Sequence, residues 1–224
     1  YCSLTGYGQT GSYRDRPGHD INYLALSGVE SYSGRAGGGP VPGALQVADI
    51  CAGSKNLVIA LLASVIRRME TGEGEHIDIS IADGTVALQA LHADALACGR
   101  EPRAEAEALN GGSLYDFYRT SDGGYLSMGM LEPRFRENFL AALRVHEVEF
   151  ASLSMEALAA QKREVARVIG EKPLAHWERV FGGIEACVEP VRSAMEAAHL
   201  PPFSDRGMVI QVPTVNGTPV KQYG

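Results

Sequence analysis

Residues 49–81 carry the clearest structural pattern in the chain, DICAGSKNLVIALLASVIRRMETGEGEHIDISI. Asp49 is a preferred N-cap residue, and the apolar positions after it predict a helix over 49–69. Gly72 suits the end of that helix. Apolar residues lie nearly all round the helix, which predicts that it is buried. Over 76–81 polar and apolar residues then alternate, as in a half-buried strand. A buried helix that leads into a strand indicates an α/β fold.

The rest of the chain predicts two α/β pieces. Before residue 49 come the end of a strand over 1–4, a glycine-rich loop and a short helix over 17–26. The later elements are a helix over 83–98, a hairpin over 115–128, helices over 133–143, 155–169 and 173–181, short strands over 187–212 and a last hairpin near 215–218. The predicted division is a first domain over 1–80, a linker helix and loop over 81–110, a small α+β domain over 111–190 and a returning segment over 191–224.

Composition excludes several classes of protein. The 224 residues carry 20 Lys and Arg against 27 Asp and Glu, a formal net charge of −7, which argues against nucleic-acid binding. The longest apolar run, Leu57–Ile66, is about half the length that spans a bilayer, and no signal-peptide pattern is present at the N-terminus. We therefore expect no membrane association.

The cysteines and histidines predict neither a disulfide framework nor a metal site. The four cysteines, Cys2, Cys51, Cys98 and Cys187, form no CxxC pair, and the histidines show no metal-ligand spacing. Free buried thiols are typical of a reducing compartment, so the expected location is the cytoplasm.

His19 is the first residue that could carry chemistry. It lies at the start of the predicted helix over 17–26, beside Gly18, and Tyr23 falls one turn later on the same face. A neutral imidazole there could accept a proton near pH 7. A structural histidine bonded to the backbone explains the same pattern, and the sequence alone favours that interpretation.

Asp49 is the second such residue. An Asp here is explained by its capping role alone. A helix N-terminus also presents unpaired amides and a partial positive charge, and the small residues Ala52, Gly53 and Ser54 would let a ligand approach. Those amides could stabilise an oxyanion while the Asp49 carboxylate acts as base or nucleophile.

Two further patterns are weaker. Glu132 precedes the helix over 133–143, where it could cap the helix or pair with a distant histidine. The glycines of Gly6-Tyr7-Gly8 lack the rest of a dinucleotide-binding fingerprint.

Several segments, in order, resemble the family III CoA-transferases (the CaiB/BaiF superfamily), and within them the α-methylacyl-CoA racemase branch. The segments are Leu4–Gly11, Gly18–Tyr23, Pro42 with Asp49, Gly72–Gly74 with Asp78, Ala82–Gly84, Leu109–Gly112, Tyr115-Asp116, Asp122–Tyr125 and Glu132–Phe135. Gly18-His19-Asp20-Ile21-Asn22-Tyr23 is the most discriminating of them, because transferases of this superfamily usually carry an aromatic residue at the position of His19.

The resemblance implies a longer protein. The chain would hold part of a Rossmann-like, CoA-binding large domain, a linker and the small domain, and would lack an upstream part. Family members form interlocked homodimers whose active site lies between the subunits. The 224 residues alone are therefore expected to bind coenzyme A poorly and to be inactive.

The resemblance also implies a chemistry. His19, oriented by Glu132 of the partner subunit, and Asp49 would exchange protons on opposite faces of the α-carbon of a 2-methylacyl-CoA thioester. Tyr23, Gly6, Tyr7 and Gly8 would contact the coenzyme A arm of that substrate, and no metal or prosthetic group would be needed.

Two positions depart from the family pattern, and both concern the thioester pocket. Ala48 stands where members often carry Gly, and Leu45 stands where they often carry Asn.

Two alternatives remain open at this point. A family III CoA-transferase would use Asp49 as a nucleophile that forms an anhydride with the acyl group. The other alternative is an inactive fragment or a non-catalytic homologue.

Overall fold

The computed structural model describes residues 1–145 and 155–224, and the chain divides into two compact units, Tyr1–Ser113 and Leu114–Gly224. This division falls close to the predicted start of the small domain. The finer four-part division stays a prediction.

The first unit is built on a parallel pair of strands. Strand β1 (Cys2–Thr5) pairs with β2 (Ile77–Ser80), with Cys2 opposite Ile77 and Thr5 opposite Ser80. Parallel strands need a crossover connection. That crossover contains α1 (Asp20–Ser27), a 3₁₀ turn (Val29–Ser31), a π-helix (Ala48–Lys55) and α2 (Asn56–Thr71). After β2 come α3 (Ile81–Ala87), a 3₁₀ turn (Ala90–His92) and α4 (Ala93–Ala97).

Helix α1 is shorter than the sequence predicts. It begins at Asp20, and His19 is its N-cap, so Pro17 lies outside it. Its end is as predicted: Gly28 has φ 93°, a left-handed conformation that suits glycine, and closes the helix.

Helix α2 ends as predicted but is not buried. Gly72, at φ 76°, donates its N–H to Arg68 O over 2.8 Å. None of the sixteen residues of α2 is buried. Ile59, Leu62 and Ile66 are each about 60% exposed (64%, 59% and 59%). The prediction of burial is wrong for the described residues: α2 continues directly from the π-helix and packs on β1 and β2, and most of its side chains stay exposed.

Among residues 1–145 and 155–224, one helix is long and apolar enough to cross a membrane by length and composition alone. The continuous helical stretch Ala48–Thr71 has a mean hydropathy of 1.6 over its most apolar window. The core helices of soluble proteins have the same length and composition. The expected absence of a membrane span stays a prediction.

The single helix predicted over 83–98 is wrong. The chain forms α3, a 3₁₀ turn and α4 there. The break falls at Gln89, whose side chain donates to Ser27 O over 2.8 Å and accepts from the Tyr32 hydroxyl over 3.1 Å. These long-range hydrogen bonds override the helical pattern, and no local sequence signal announces them.

The second unit contains an antiparallel sheet and three main helices. Strands β3 (Asp116–Arg119), β4 (Tyr125–Met128) and β5 (Val188–Pro190) lie in that order, and the predicted hairpin of β3 and β4 is confirmed. The helices are α5 (Pro133–Leu143), α6 (Met155–Ile169) and α7 (Leu174–Phe181), close to the predicted ranges.

The core of this unit lies where these helices pack on the sheet. Its largest fully buried side chains are Phe139, Leu126, Leu140, Ile169 and Val165. The rings of Phe139 and Phe181 stack with centroids 5.5 Å apart. This unit therefore has a hydrophobic core of its own.

The last part of the chain differs partly from the prediction. Short helices α8 (Ala194–Ala197) and α9 (Pro201–Ser204) occupy much of the region in which short strands were expected. The terminal hairpin is confirmed, because β6 (Val209–Val212) pairs antiparallel with β7 (Val220–Tyr223). Taken together, the chain is a mixed α/β protein. A Rossmann-like large domain and an interlocked dimer stay predictions.

Candidate active site

His19 occupies the N-cap of α1 with an extended backbone, φ −130° and ψ 173°. Its N–H donates to Asn22 Oδ1 over 3.1 Å, and its carbonyl accepts from the Asn22 N–H over 2.8 Å. These bonds fix the backbone of His19, while the residue itself is exposed. An exposed imidazole on a fixed backbone is available for proton transfer.

Asp49 is not the N-cap that the sequence predicts. Val47 is already helical, and Asp49 is the second residue of the π-helix. No hydrogen bond to its carboxylate is found within residues 1–145 and 155–224, and the residue is half-buried. A partly desolvated carboxylate without a fixed partner can act as base or nucleophile.

The amides at the start of the π-helix do not match the predicted oxyanion role. The Asp49 N–H donates to Asp20 Oδ1 over 3.0 Å, and the Ile50 N–H donates to Gln46 O over 3.0 Å. Both amides are therefore engaged, and the prediction is wrong for them. In the described part of the chain, the N–H groups of Asp20 and Ile21 in the first turn of α1 have no acceptor.

The small residues after Asp49 serve packing. Ala52 and Gly53 are buried, and a Cβ on Gly53 would lie 3.1 Å from Ile81. A Cβ on Gly84 of α3 would lie 2.6 Å from Ala52 O. These residues let α3 approach the π-helix closely, so they do not form the open ligand approach that the sequence predicts. π-helical turns often occur at functional sites.

A hydrogen bond connects the segment around His19 to Asp49, because the Asp49 N–H donates to the Asp20 carboxylate. Tyr23 lies on the same helix as Asp20, and its hydroxyl donates to Gly18 O over 2.7 Å. Burial raises the pKa of the Tyr23 hydroxyl, and the nearby Tyr7 and the Asp49 charge raise it further. The structure thus brings the His19 and Asp49 segments together in the first unit.

Tyr23 has a structural role here. Its side chain is 4% exposed and contacts the Tyr7 ring edge-on, with centroids 5.2 Å apart. A side chain on Gly6 or on Gly18 would clash with the Tyr23 ring or hydroxyl, so both glycines are fitted to it. Contact of Tyr23 and Gly6 with coenzyme A stays a prediction.

Tyr7 and Gly8 line a cavity of about 370 Å³. Asp78 and Asp83 also line it, and Asp78 Oδ2 accepts from the Gln9 N–H over 3.0 Å. Two carboxylates in one cavity disfavour the phosphates of coenzyme A by like-charge repulsion. Contact of Tyr7 and Gly8 with coenzyme A stays a prediction, and this cavity fits an uncharged part of the arm better.

Glu132 lies in the second unit. It is the N-cap residue of α5, which starts at Pro133, but its side chain makes no capping hydrogen bond. The residue is exposed. Capping therefore does not explain its carboxylate, and its expected pairing with His19 stays a prediction.

Other ligand chemistry finds little support among the described residues. No group of three or more His, Cys, Asp or Glu within residues 1–145 and 155–224 could hold a metal ion. All four cysteines are free.

Sequence reasoning gave Asp20 no role. The one available signal was its place directly after His19, where an acidic residue in the first turn is explained by the helix dipole. Its partner, the Asp49 amide, is 29 residues away along the chain. No local pattern reports a contact at that distance.

The model of CoA-transferase family III matches residues 1–224, and the chain belongs to this family.

Curated relatives include a racemase and a CoA-transferase. The chain is 35% identical to the α-methylacyl-CoA racemase of Homo sapiens over 213 residues. This alignment covers 94% of the chain and 56% of the racemase. The chain is 31% identical to the succinate–glutarate CoA-transferase of Agrobacterium fabrum over 227 residues. This alignment covers 97% of the chain and 56% of the transferase. The chain thus spans about half the length of the curated relatives that it matches.

Solved structures share the fold. A CaiB/BaiF family protein from Brucella suis matches with a TM-score of 0.70 and 24% identity, over 98% of the chain and 58% of that protein. A Mycobacterium tuberculosis protein matches with a TM-score of 0.77 and 20% identity, over 100% of the chain and 60% of that protein.

Proposed function

We propose that the protein containing this chain is a racemase that inverts the α-carbon of 2-methyl-branched acyl-CoA thioesters. The observation that carries the proposal is the exposed imidazole of His19, on a segment that Asp20 links to the segment of Asp49. Inversion needs a base on one face of the α-carbon and an acid on the other. An imidazole and a carboxylate on linked segments provide such a pair.

The proposed reaction is a two-step proton transfer. The base removes the α-proton, and the electrons of the C–H bond move into the thioester carbonyl to form an enolate. The acid then delivers a proton to the opposite face of the α-carbon, and the carbonyl re-forms. His19 and Asp49 exchange these roles between the two enantiomers.

The enolate oxygen needs hydrogen-bond donors, because charge develops there. The N–H groups of Asp20 and Ile21 lie at the positive end of the α1 dipole, next to His19. Both are without an acceptor among the described residues. We therefore assign enolate stabilisation to the start of α1, in place of the engaged amides at Asp49 and Ile50.

Three parts of the proposal rest on the family resemblance. Glu132 of a second copy orients the His19 imidazole in a homodimer. Coenzyme A enters as part of the thioester substrate, and the acyl group is a branched fatty acyl, sterol side-chain or aryl-propionyl group. The reaction belongs to fatty acid metabolism. The proposed location, the cytoplasm, rests instead on the free cysteines.

CoA transfer is the second candidate function. It is favoured by the free carboxylate of Asp49 and by the 31% identity to the succinate–glutarate CoA-transferase. In that reaction the Asp49 carboxylate attacks the thioester carbonyl, CoA leaves as a thiolate, and an Asp49 acyl anhydride forms.

Variants of the full-length protein separate the two functions. Asp49→Asn should abolish either activity, because the residue is base in one and nucleophile in the other. His19→Ala should lower the rate of enantiomer inversion by about 10²–10⁴-fold, the usual contribution of a general acid–base group. The matched control is His199→Ala, which removes an exposed imidazole from the second unit. If the His19→Ala protein transfers CoA between carboxylic acids as fast as the wild type does, the racemase proposal is overturned.

A further inference from the structure

The carboxylate of Asp20 connects the two segments that carry the proposed acid and base. Asp20 Oδ1 accepts the N–H of Asp49 over 3.0 Å, in a partly buried position. Asp20 directly follows His19 and is the first residue of α1. The bond therefore holds the backbone of one proposed catalytic residue to the neighbour of the other.

The surroundings of Asp49 make this bond unusual. The π-helix leaves its first N–H groups without partners inside the helix. A side chain from α1 satisfies the one that belongs to Asp49, and a charged acceptor gives a bond about twice as strong as a neutral one. The carboxylate of Asp49 is free to point elsewhere, since no hydrogen bond to it is found in the described ranges.

We infer that Asp20 is a positioning residue that sets the place of Asp49 relative to His19, an inference that rests on the proposed function. The Asp20 carboxylate acts through the Asp49 backbone and does not itself exchange the α-proton. Loss of its carboxylate frees the first turn of the π-helix, and a misplacement of about 1 Å can cost a factor of about 100 in rate.

Loss of the Asp20 carboxylate should cause a specific kinetic defect. In deuterated buffer, the His19 imidazole can exchange its proton with solvent and return deuterium to the face from which it took the proton. When Asp49 is misplaced, delivery of a proton to the opposite face slows, but this return does not. For the enantiomer whose proton His19 removes, α-exchange with retention should therefore rise relative to inversion.

The test uses the full-length protein and each enantiomer of a 2-methylacyl-CoA in turn. Asp20→Ala should slow inversion by about 10–100-fold. It should also raise the ratio of retained exchange to inversion for one enantiomer. Asp20→Asn keeps an oxygen acceptor for the Asp49 N–H, so most activity should return. Asp15→Ala, which removes an exposed carboxylate from the same part of the chain, is the matched control and should match the wild type.

A second readout does not depend on activity. The hydrogen-exchange rate of the Asp49 amide, measured by NMR, should rise in Asp20→Ala and stay near the wild-type rate in Asp20→Asn. An unchanged amide in Asp20→Ala, or an equal loss of exchange and inversion for both enantiomers, would overturn the positioning role. A wild-type protein that exchanges no α-proton would instead contradict the proposed function, while the amide measurement would still report on the hydrogen bond.

Discussion

At the scale of single residues, backbone contacts decide which groups are free to react. His19 and Asp49 both have their N–H groups engaged, by Asn22 and Asp20 respectively, while their side chains stay at least partly accessible. Tyr23, one turn further along α1, is in contrast buried and hydrogen-bonded. An accessible side chain on a fixed backbone is suited to proton transfer. A buried, hydrogen-bonded side chain such as Tyr23 is suited to holding the reactive residues in place.

Tyr118 in β3 gives a prediction on pH dependence. Its side chain is 4% exposed, and its hydroxyl donates to Leu114 O over 3.3 Å. Burial raises the pKa of this hydroxyl far above its ordinary value, and Asp116 adds to the shift. The folded state therefore holds the phenol proton more tightly than the unfolded state.

The raised pKa of Tyr118 determines how the stability of the folded state changes with pH. Below about pH 10, the ordinary tyrosine pKa, the stabilisation is fully present, and it is lost as pH rises above that value. Tyr118→Phe removes the hydrogen bond, which costs about 1 kcal/mol at neutral pH. Because the phenylalanine cannot ionise, the stability difference between wild type and variant should shrink from pH 8 to pH 11 in urea unfolding. A constant difference over that range would contradict the account.

At the scale of elements, the sequence predicts best where local signals are strong and packing agrees with them. The predicted ranges of α5, α6 and the β3–β4 hairpin agree closely with the structure, since Pro133, the apolar period of α6 and Gly123-Gly124 all act locally. The break at Gln89 is not predicted, because Gln89 bonds to Ser27 and Tyr32 far along the chain. The π-helical form of the turn at Asp49 is not predicted either.

The candidate site shows the same division. His19 and Asp49 could be picked out by residue type and position. Their linkage through Asp20 could not, because the sequence does not report a hydrogen bond across 29 residues.

Gly84 gives the prediction at this scale. In α3 it lies against the π-helix that carries Asp49, and a Cβ there would meet Ala52 O at 2.6 Å and Asn56 Nδ2 at 3.0 Å. Gly84→Ala must push α3 and the π-helix apart, so the gain in helix propensity is outweighed by overpacking of about 1–3 kcal/mol.

We expect the Gly84→Ala protein to have a lower Tm and a reduced inversion rate. Gly74→Ala is the control, since a Cβ at Gly74 meets no atom within 4 Å. Equal melting temperatures for the two variants would show that the close approach of α3 is not needed.

At the scale of the whole molecule, helix α2 exposes several aliphatic side chains to solvent. Exposed aliphatic side chains on one helix cost free energy in water, at roughly 25 cal/mol per Å². The chain spans about half the length of its curated relatives. We therefore expect another part of the full-length protein to pack on α2.

Leu62→Glu tests this expectation. Leu62 is 59% exposed in the 224-residue chain, so a charge there should change the stability of that chain by about 0.5 kcal/mol or less. In the full-length protein the same charge would be buried and should lower the Tm markedly. Equal effects in both proteins would contradict the expected cover. A separate comparison concerns coenzyme A. Calorimetry should show that the 224 residues alone bind coenzyme A more weakly than the full-length protein does.

We propose that His19 and Asp49 together invert the α-carbon of the thioester substrate. The most direct measurement follows the α-proton of a single-enantiomer 2-methylacyl-CoA by NMR, in deuterated buffer with the full-length protein and no acceptor acid. We expect loss of the α-proton signal with the thioester intact, together with appearance of the other enantiomer. An α-proton that persists, while added carboxylic acids take up CoA, would contradict the racemase and identify a CoA-transferase.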